Sequence, residues 1–504
     1  MTEPRHRASA PVPAAPARRT ASLAGWLYIA GIAAVTIAAA VLRGVRLDHP
    51  MRYDEAFTFL AYAFPIGPGN VFDYSTPNNH VFHTLLVYLV TQFAGPTPPA
   101  VRMPAFLAGV ALAPAAAMLA RRLTGRRLPG VLAAMLVAGA SLLIEYSVNA
   151  RGYTMICLFT LLMGVCTVEL IRDARRLWLW VAWVLLGVAG MFTVPIMVYP
   201  LGLFALVLLL QAFWGPDRSL SRPTAIRLTV ALLAWLALTA LAYGPVIATS
   251  GLWAITGNRF VTPQPMGEVL AGLWPMAGET LGHWTRDTSW AWRILVLAGV
   301  LTSAGLGLAR RAFFWLVPLL ALALLTVAAL AQRVIPFPRV WLFVLPLALV
   351  LAGCGLDWLA GAAFAGRRRL AAGLVVLLLA GVCAEAAWQS QARPALISED
   401  ERTLVDAQAI CRDAVDLCDG QTALVSQVPA WPSLRYYSVL YGPVKVIDYS
   451  DDGCRRALVV VGDRQTLDGV LAANPGLAEQ FGPPAVWRTY PHAKVYLAPR
   501  RTNR

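Results

Sequence analysis

Residues Leu23 to Leu42 read LAGWLYIAGIAAVTIAAAVL, an uncharged run of 20 residues. A helix of about 20 apolar residues spans the hydrocarbon core of a bilayer, because each residue adds about 1.5 Å along the axis. The run is too long for the core of a cleaved signal peptide, and no clear small-residue cleavage site follows it. It therefore predicts a membrane-spanning signal anchor, preceded by a disordered cytoplasmic tail over 1–21.

Apolar runs of similar length recur along the chain, which has 504 residues and is 58% hydrophobic and 14% charged. In soluble domains about a quarter of the residues are charged. Long, uniformly apolar runs favour helices over a membrane β-barrel, whose strands are short and alternate in polarity. The composition therefore predicts a polytopic α-helical membrane protein.

The net charge of +15 is concentrated in short basic clusters between the apolar runs. Cytoplasmic loops of membrane proteins carry such clusters, so this distribution indicates topology and argues against nucleic acid as a partner. The five clusters are Arg121–Arg127, Arg172–Arg176, Arg218–Arg227, Arg310–Arg311 and Arg367–Arg369. With all five inside, the N-terminus is cytoplasmic and the C-terminal region is periplasmic or extracellular.

This arrangement predicts about 11 transmembrane helices within a membrane domain at 22–388. The predicted spans are about 23–42, 101–120, 129–147, 154–171, 177–192, 194–214, 228–248, 291–309, 312–331, 340–360 and 370–388. Two long loops, at about 43–100 and 249–290, are expected outside. The first contains the apolar segment Val81–Phe93, which is too short to span and is predicted to be an interfacial helix.

Residues 389–504 are richer in charged and turn residues and predict a small extracytoplasmic α/β domain. Its expected elements are strands at Ala423–Val428, Val444–Asp448 and Ala457–Val461 and helices at Leu396–Cys411 and Leu467–Asn474. If the domain lies outside, one disulfide can form among Cys411, Cys418 and Cys454. Cys411 and Cys418 would lie about 10 Å apart on one continuous helix, so Cys454 is the expected partner of one of them.

Polar groups suited to chemistry gather in the first long loop. The adjacent carboxylates of Asp54 and Glu55 would point about 100° apart on a helix, so they are not expected to share one role. One is suited to act as a base toward a hydroxyl while the other packs, caps or binds sugar; a solvated loop with a helix cap is the alternative. Asn79, His80 and His83 crowd the start of the interfacial helix, where they either bind sugar hydroxyls or phosphate or simply cap the helix.

Three arginines, Arg151, Arg333 and Arg339, lie on the predicted outer side, against the usual bias of positive charge. They are suited to neutralising a phosphate, or alternatively they snorkel at the interface. His283 lies in the second long loop among tryptophans and acids that suit sugar stacking and interface anchoring equally. No nucleotide-binding motif and no zinc-type pairing of cysteine and histidine appears, which argues against a nucleotide-driven pump.

The order of these segments resembles the GT-C superfamily of glycosyltransferases, above all the group with the protein O-mannosyltransferases and the lipid A aminoarabinose transferase. The resemblance covers about residues 22–360, and it rests on order and topology more than on any one motif. The segments that carry it are Tyr53-Asp54-Glu55-Ala56, Asn79-His80, Val101-Arg102-Met103-Pro104, Ala120–Arg127, Tyr146–Tyr153, Pro338-Arg339-Val340-Trp341 and Leu345-Pro346.

The resemblance implies an enzyme of the inner (plasma) membrane that takes a sugar from a polyprenyl phosphate. The acceptor would be a hydroxyl of a cell-envelope glycan, lipid or protein, and transfer would invert the anomeric carbon. Asp54 is then the expected base and Glu55 a supporting acid, while Arg151 and Arg339 stabilise the leaving phosphate. Tyr53 and Tyr153 complete the expected substrate-binding set.

Two departures from the related enzymes concern the donor and metal use. Asn149 lies near the place where relatives often carry an acid, with Glu145 earlier in the chain. Asn79-His80 replaces the lysine or acid found near the interfacial helix in the aminoarabinose transferase. Because of these departures, no metal is carried over from the related enzymes to this chain, and no cofactor is expected.

A flippase or other transporter of lipid-linked sugars is the alternative function. Transporters usually carry inverted repeats and ionisable residues at the bilayer midplane. Here the predicted spans are almost free of charge, and the polar groups gather at one face. A third interpretation, a non-catalytic scaffold, would not require outer arginines beside the spans at three separate places.

Overall fold

The computed structural model describes most of the chain. The described residues are 23–64, 68–216, 221–257, 262–364, 367–392, 404–417, 422–427, 430–441, 454–463 and 465–501. The helices of the N-terminal part are α1 Leu23–Gly44, α2 Tyr53–Thr58, α3 Val81–Ala94, α4 Pro98–Thr124, α5 Leu128–Gly139, α6 Ser141–Ser147, α7 Tyr153–Arg172, α8 Leu177–Thr193, α9 Val198–Trp214, α10 Ser221–Ala242, α11 Gly244–Ser250, α12 Leu252–Thr256, α13 Met266–Trp284, α14 Trp290–Arg310, α15 Val317–Gln332, α16 Val344–Ala363 and α17 Arg368–Ala392.

The helical membrane architecture predicted from the sequence is confirmed, although the count of 11 spans is not. Within the described ranges, nine helices are long and apolar enough to cross a membrane, or ten if the bent pair α5 and α6 forms one span. These two helices meet at 64° because Ala140 between them adopts an extended conformation. The remaining predicted span falls on α8, which is apolar but only 17 residues long.

The centre of the bundle consists of α4, α5, α7 and α16, and the other long helices surround it with largely exposed apolar sides. Small residues allow the central contacts. A Cβ atom on Gly355 of α16 would collide with the carbonyl oxygen of Gly299 on α14, so these two helices touch backbone to backbone. Such close approach through small residues is how helices associate in lipid, where van der Waals packing replaces the hydrophobic effect.

The second long loop, predicted at 249–290, contains more regular structure than expected. Its main element is α13, a helix of 19 residues whose buried positions include Val269, Met276 and Thr280. Their spacing of seven and four residues fits one face of a helix. The helix escaped the sequence analysis because apolar residues such as Leu270 and Trp274 also stand on its exposed side and blur that pattern.

The C-terminal part is a small α/β unit, as predicted. Its elements are α18 Ala407–Ala414, β1 Thr422–Val425, α19 Trp431–Tyr441, β2 Arg456–Gly462, α20 Leu467–Ala472, α21 Pro475–Gln480, β3 Ala485–Tyr490 and β4 Ala493–Pro499. The sheet has the order β1-β2-β4-β3, with β1 and β2 parallel and the other pairs antiparallel. The predicted strand Val444–Asp448 and Cys418 lie outside the described residues, so the disulfide stays a prediction.

Candidate active site

The residues between α1 and α4, which we call the first loop, bring the acidic pair to the bundle. Helix α2 begins after Arg52, whose backbone N–H donates to Glu55 Oε2 at 3.4 Å, so the second acid also caps the helix. The helix then runs directly into a π-helical turn over Phe59–Ala63. Such turns are rare and often occur at functional sites.

Glu55 is fully buried and paired with Arg102 of α4. Arg102 Nη2 donates to Glu55 Oε2 at 2.6 Å, and the backbone N–H of Ala150 donates to Oε1 at 3.0 Å. The same guanidinium also donates to the backbone carbonyls of Leu47, His49 and Pro50 at 2.8, 2.6 and 3.0 Å. The pair therefore fastens the first loop, α4 and the turn before α7 to one another.

Asp54 has a different environment. Its side chain is 25% exposed, and Oδ2 lies 3.8 Å from Nη1 of Arg151, whose own side chain is 5% exposed. Asn78 Nδ2 donates to the Asp54 backbone carbonyl at 3.5 Å. Of the two adjacent acids, Asp54 is therefore the one that a substrate can reach.

Arg151 lies at the centre of the polar cluster. Its Nη1 donates to Thr58 Oγ1 at 3.3 Å and to Asn78 Oδ1, while its Nε is buried with no hydrogen-bond partner within the described chain. A buried guanidinium needs an anion or a full set of acceptors. Here neutral oxygens and the distant Asp54 carboxylate supply only part of that set.

His80 faces Arg151 from the start of α3. The Gly152 N–H donates to His80 Nδ1 at 2.8 Å, and Arg151 Nη2 lies 3.3 Å from Nε2. Burial above all, and then Arg151, His83 and Arg339, hold the pKa of His80 well below its usual value, so the ring is neutral. A neutral imidazole has one acceptor nitrogen, yet two N–H groups face it. One of these donors is therefore available for another acceptor.

Tyr153 and Arg339 extend the cluster. The Tyr153 ring packs edge-on against the His80 ring, with centroids 5.0 Å apart, and the Arg151 guanidinium lies 5.9 Å from the Tyr153 centroid. Arg339 is half-buried against Phe337 and close enough to His80 to lower its pKa. The structure thus brings together Asp54, His80, Arg151 and Tyr153, with the charge of Arg339 acting on His80.

The Asn79 side chain forms hydrogen bonds within the first loop and does not contact Arg151. Its Nδ2 donates to the carbonyls of Val71 and Asp73 at 2.8 and 2.7 Å, and its Oδ1 accepts from Thr84 Oγ1 at 2.8 Å. The preceding residue, Asn78, contacts Arg151. The sequence analysis missed it, because two neighbouring asparagines give no signal as to which side chain turns inward.

His83 lies behind the acidic pair. Both of its ring nitrogens are buried and lack hydrogen-bond partners within the described chain, and the ring lines a cavity of about 10 Å³ shared with Glu55 and Thr58. A cavity of roughly 10–15 Å³ holds one water molecule. His83 therefore lies beside Glu55, at this small cavity.

Three further residues of the predicted site, Tyr53, Arg333 and His283, make none of the contacts described above. Tyr53 stacks on Phe57 with centroids 6.3 Å apart. Arg333 is exposed at the C-terminal end of α15 with a left-handed φ of 55°, and His283 is half-buried in the last turn of α13. The described residues contain no group of three or more histidine, cysteine, aspartate or glutamate side chains placed to hold a metal ion.

Comparisons with known proteins agree with this architecture. The family model of dolichyl-phosphate-mannose-protein mannosyltransferases matches residues 91–247. ArnT from Cupriavidus metallidurans in the apo state superposes with a TM-score of 0.62 at 14% identity, over 94% of this chain and 98% of ArnT. ArnT bound to undecaprenyl phosphate gives a TM-score of 0.60 at 14% identity, with the same coverage. No curated protein matches the sequence significantly.

A more distant fold neighbour is the oligosaccharyltransferase of Archaeoglobus fulgidus in the apo form. It superposes with a TM-score of 0.54 at 12% identity, over 94% of this chain and 74% of that one. At such identities these neighbours establish the GT-C fold. The family match confirms the resemblance predicted from the sequence. It includes Arg102 and Arg151 but begins after Asp54 and Glu55.

Proposed function

We propose that the chain transfers a sugar from a polyprenyl-phosphate donor to a hydroxyl group at the outer face of the inner membrane, with inversion. The acceptor is a cell-envelope glycan, lipid or protein. The observation that carries the proposal is the separation of the two acids, since Asp54 is reachable beside buried Arg151 while Glu55 is sealed against Arg102. The undecaprenyl phosphate bound to ArnT supports a lipid-phosphate donor.

Asp54 acts as the base in a single displacement. Its carboxylate accepts the proton of the acceptor hydroxyl as the hydroxyl oxygen forms a bond to the anomeric carbon. The bond between that carbon and the phosphate oxygen breaks, and polyprenyl phosphate leaves with the electron pair. The attacking and departing oxygens lie on opposite sides of the carbon, so the configuration inverts.

The leaving phosphate gains negative charge, and the Arg151 cluster supplies donors for it. Among the described residues, none bonds to Arg151 Nε. Two N–H groups face the His80 ring, which can accept only one hydrogen bond. Pre-arranged donors in a buried site stabilise developing charge without reorganisation. Arg339 adds positive charge close to His80. This arrangement supports leaving-group stabilisation by Arg151, with Arg339 and His80 beside it.

The test is a transfer assay with the full-length protein in proteoliposomes. Synthetic undecaprenyl-phosphate hexoses and pentoses are offered with lipid, glycan and peptide hydroxyl acceptors, and released undecaprenyl phosphate is measured together with the anomeric configuration of the product. We expect release coupled to an inverted product for at least one donor. Movement of the intact donor across the bilayer without release would instead support the flippase alternative.

A further inference from the structure

Helix α19 of the C-terminal domain lies directly on the first loop. Met51 is fully buried, and both of its backbone polar groups bind this helix. Its N–H donates to Tyr437 Oη at 3.0 Å, and its carbonyl oxygen accepts from Ser433 Oγ at 3.0 Å. Because Met51 lies three residues before Asp54, α19 holds the backbone immediately upstream of the acid.

Tyr436 extends this contact to the residue after α2 and to the segment before α4. Its hydroxyl donates to the Pro96 carbonyl, just before α4, and its ring packs edge-on against Phe59, just after α2, with centroids 5.6 Å apart. Burial raises the pKa of Tyr437 to about 12 and raises that of Tyr436 as well. Both hydroxyls therefore remain protonated at physiological pH.

The same contact is continuous with the apolar core of the C-terminal domain. One cluster of buried side chains unites the first loop with α18, α19 and the sheet, and its members include Met51, Ala56, Phe59, Ile410, Leu434, Tyr436, Val460 and Val495. Protein interiors are close-packed and transmit displacements of their parts. A shift of α19 therefore moves the loop as well.

We infer that Ser433 and Tyr437 are positioning residues, through which the C-terminal domain sets the place of Asp54. The inference rests on the proposed function, in which Asp54 is the base. Fixing both polar groups of one backbone residue leaves the segment before α2 little freedom to slide or rotate. Displacing a reacting group by 1 Å costs about 100-fold in rate, so this restraint matters for turnover even when the fold is intact.

The experiment compares two matched double variants of the full-length protein. Ser433→Ala/Tyr437→Phe removes the two hydroxyls that hold Met51. Ser438→Ala/Tyr441→Phe removes the same groups from the same helix. Within the described chain these hydroxyls bond to the Arg435 carbonyl and to Gln408 and Arg412, not to the first loop. Turnover, undecaprenyl phosphate affinity, thermal stability and amide hydrogen exchange of residues 51–64 are measured for both.

In the first variant we expect kcat to fall on the order of 10- to 100-fold, since the base is displaced by a fraction of an ångström to 1 Å. Amide exchange over 51–64 should accelerate, while the affinity for undecaprenyl phosphate stays at the wild-type value. The control variant should retain wild-type kcat and exchange. A purely structural role would not lower kcat while leaving the affinity for undecaprenyl phosphate unchanged.

Unchanged kcat in the first variant overturns the inference, whatever its exchange rates. An equal loss of kcat in both variants also overturns it, because that pattern indicates general destabilisation. If the wild-type protein releases no lipid phosphate from any donor, that result contradicts the proposed function itself. The exchange comparison still decides separately whether α19 restrains the loop.

Discussion

Asp54 and Glu55 are neighbours in sequence, and each faces an arginine, yet the two sites differ in every other respect. The Glu55–Arg102 pair is fully buried, with a shortest distance of 2.6 Å, and backbone groups satisfy the remaining atoms. The Asp54–Arg151 pair is longer, at 3.8 Å, and its carboxylate is a quarter exposed. The first arrangement fixes structure, whereas the second keeps an acid accessible and a cation incompletely satisfied.

The two pairs are expected to differ in how much each contributes to the free energy of unfolding. Removing one partner from a buried ion pair leaves an uncompensated charge and costs about 3–5 kcal/mol. A partly exposed pair contributes only about 0–1 kcal/mol. Substitutions at the first pair should therefore act on stability, and substitutions at the second should act on the reaction.

The largest expected effect is that of Asp54→Asn. The amide keeps the shape but cannot accept the acceptor's proton, so turnover should fall about 10²- to 10⁴-fold, the range for losing a general base. The melting temperature should fall less than in a variant of the Glu55–Arg102 pair, because the Asp54 carboxylate is a quarter exposed and lies 3.8 Å from Arg151. Turnover is measured as release of undecaprenyl phosphate, and normal release by this variant would remove Asp54 from the mechanism.

Arg151→Gln should come next. Loss of the central guanidinium removes a donor to the leaving phosphate, and losing one such donor typically costs about 10²- to 10³-fold in kcat. Arg102→Gln serves as the matched control, since it removes the same group from the other pair. If the two variants lose turnover equally at equal stability, the division between the two pairs is wrong.

Glu55→Gln tests the structural half of the comparison. Leaving Arg102 buried opposite a neutral amide should cost about 3–5 kcal/mol and lower the melting temperature, measured by thermal unfolding in detergent. The double variant Glu55→Gln/Arg102→Met, which removes both charges, should recover part of that loss. A melting temperature no lower than that of Asp54→Asn would contradict the assignment of Glu55 to structure.

The smallest expected effect concerns acid pH. The folded protein holds the pKa of His80 far below the unfolded value of about 6.5, so the unfolded chain binds the extra proton. The stability tied to neutral His80 is therefore present above about pH 6.5 and declines as pH falls below that value. Melting curves at pH 7.5 and pH 5 should show a smaller decline in His80→Gln than in wild type.

The same trend has two further sources, His83 and His49, which His80→Gln leaves in place. Burial, followed by Arg151, lowers the pKa of His83 to about 3. Burial, followed by Arg46, Arg102 and Arg52, lowers the pKa of His49 to about 4. Their contributions are likewise lost as pH falls below about 6.5. Equal declines in His80→Gln and wild type would show that His80 is not held neutral by its surroundings.

The sequence predicted the features that depend on local pattern. Apolar runs located the helices that the structure confirms, and the predicted topology put Asp54, Arg151 and Arg339 on the same face of the membrane. It could not separate Asn78 from Asn79, nor show that Arg102 would seal Glu55. These outcomes depend on side-chain direction and on contacts between distant segments. The Met51–Tyr437 bond joins residues 386 apart, and no local pattern signals it.

The most direct test of the account is the position of the phosphate in a cryo-electron microscopy structure of the protein with bound undecaprenyl phosphate. We expect the phosphate to lie within hydrogen-bonding distance of Arg151, with the Asp54 carboxylate facing the space where the anomeric carbon would be. Glu55 should remain paired with Arg102. A phosphate bound away from Arg151, or in contact with Glu55 and not accessible to Asp54, would contradict the assignment of the two acids.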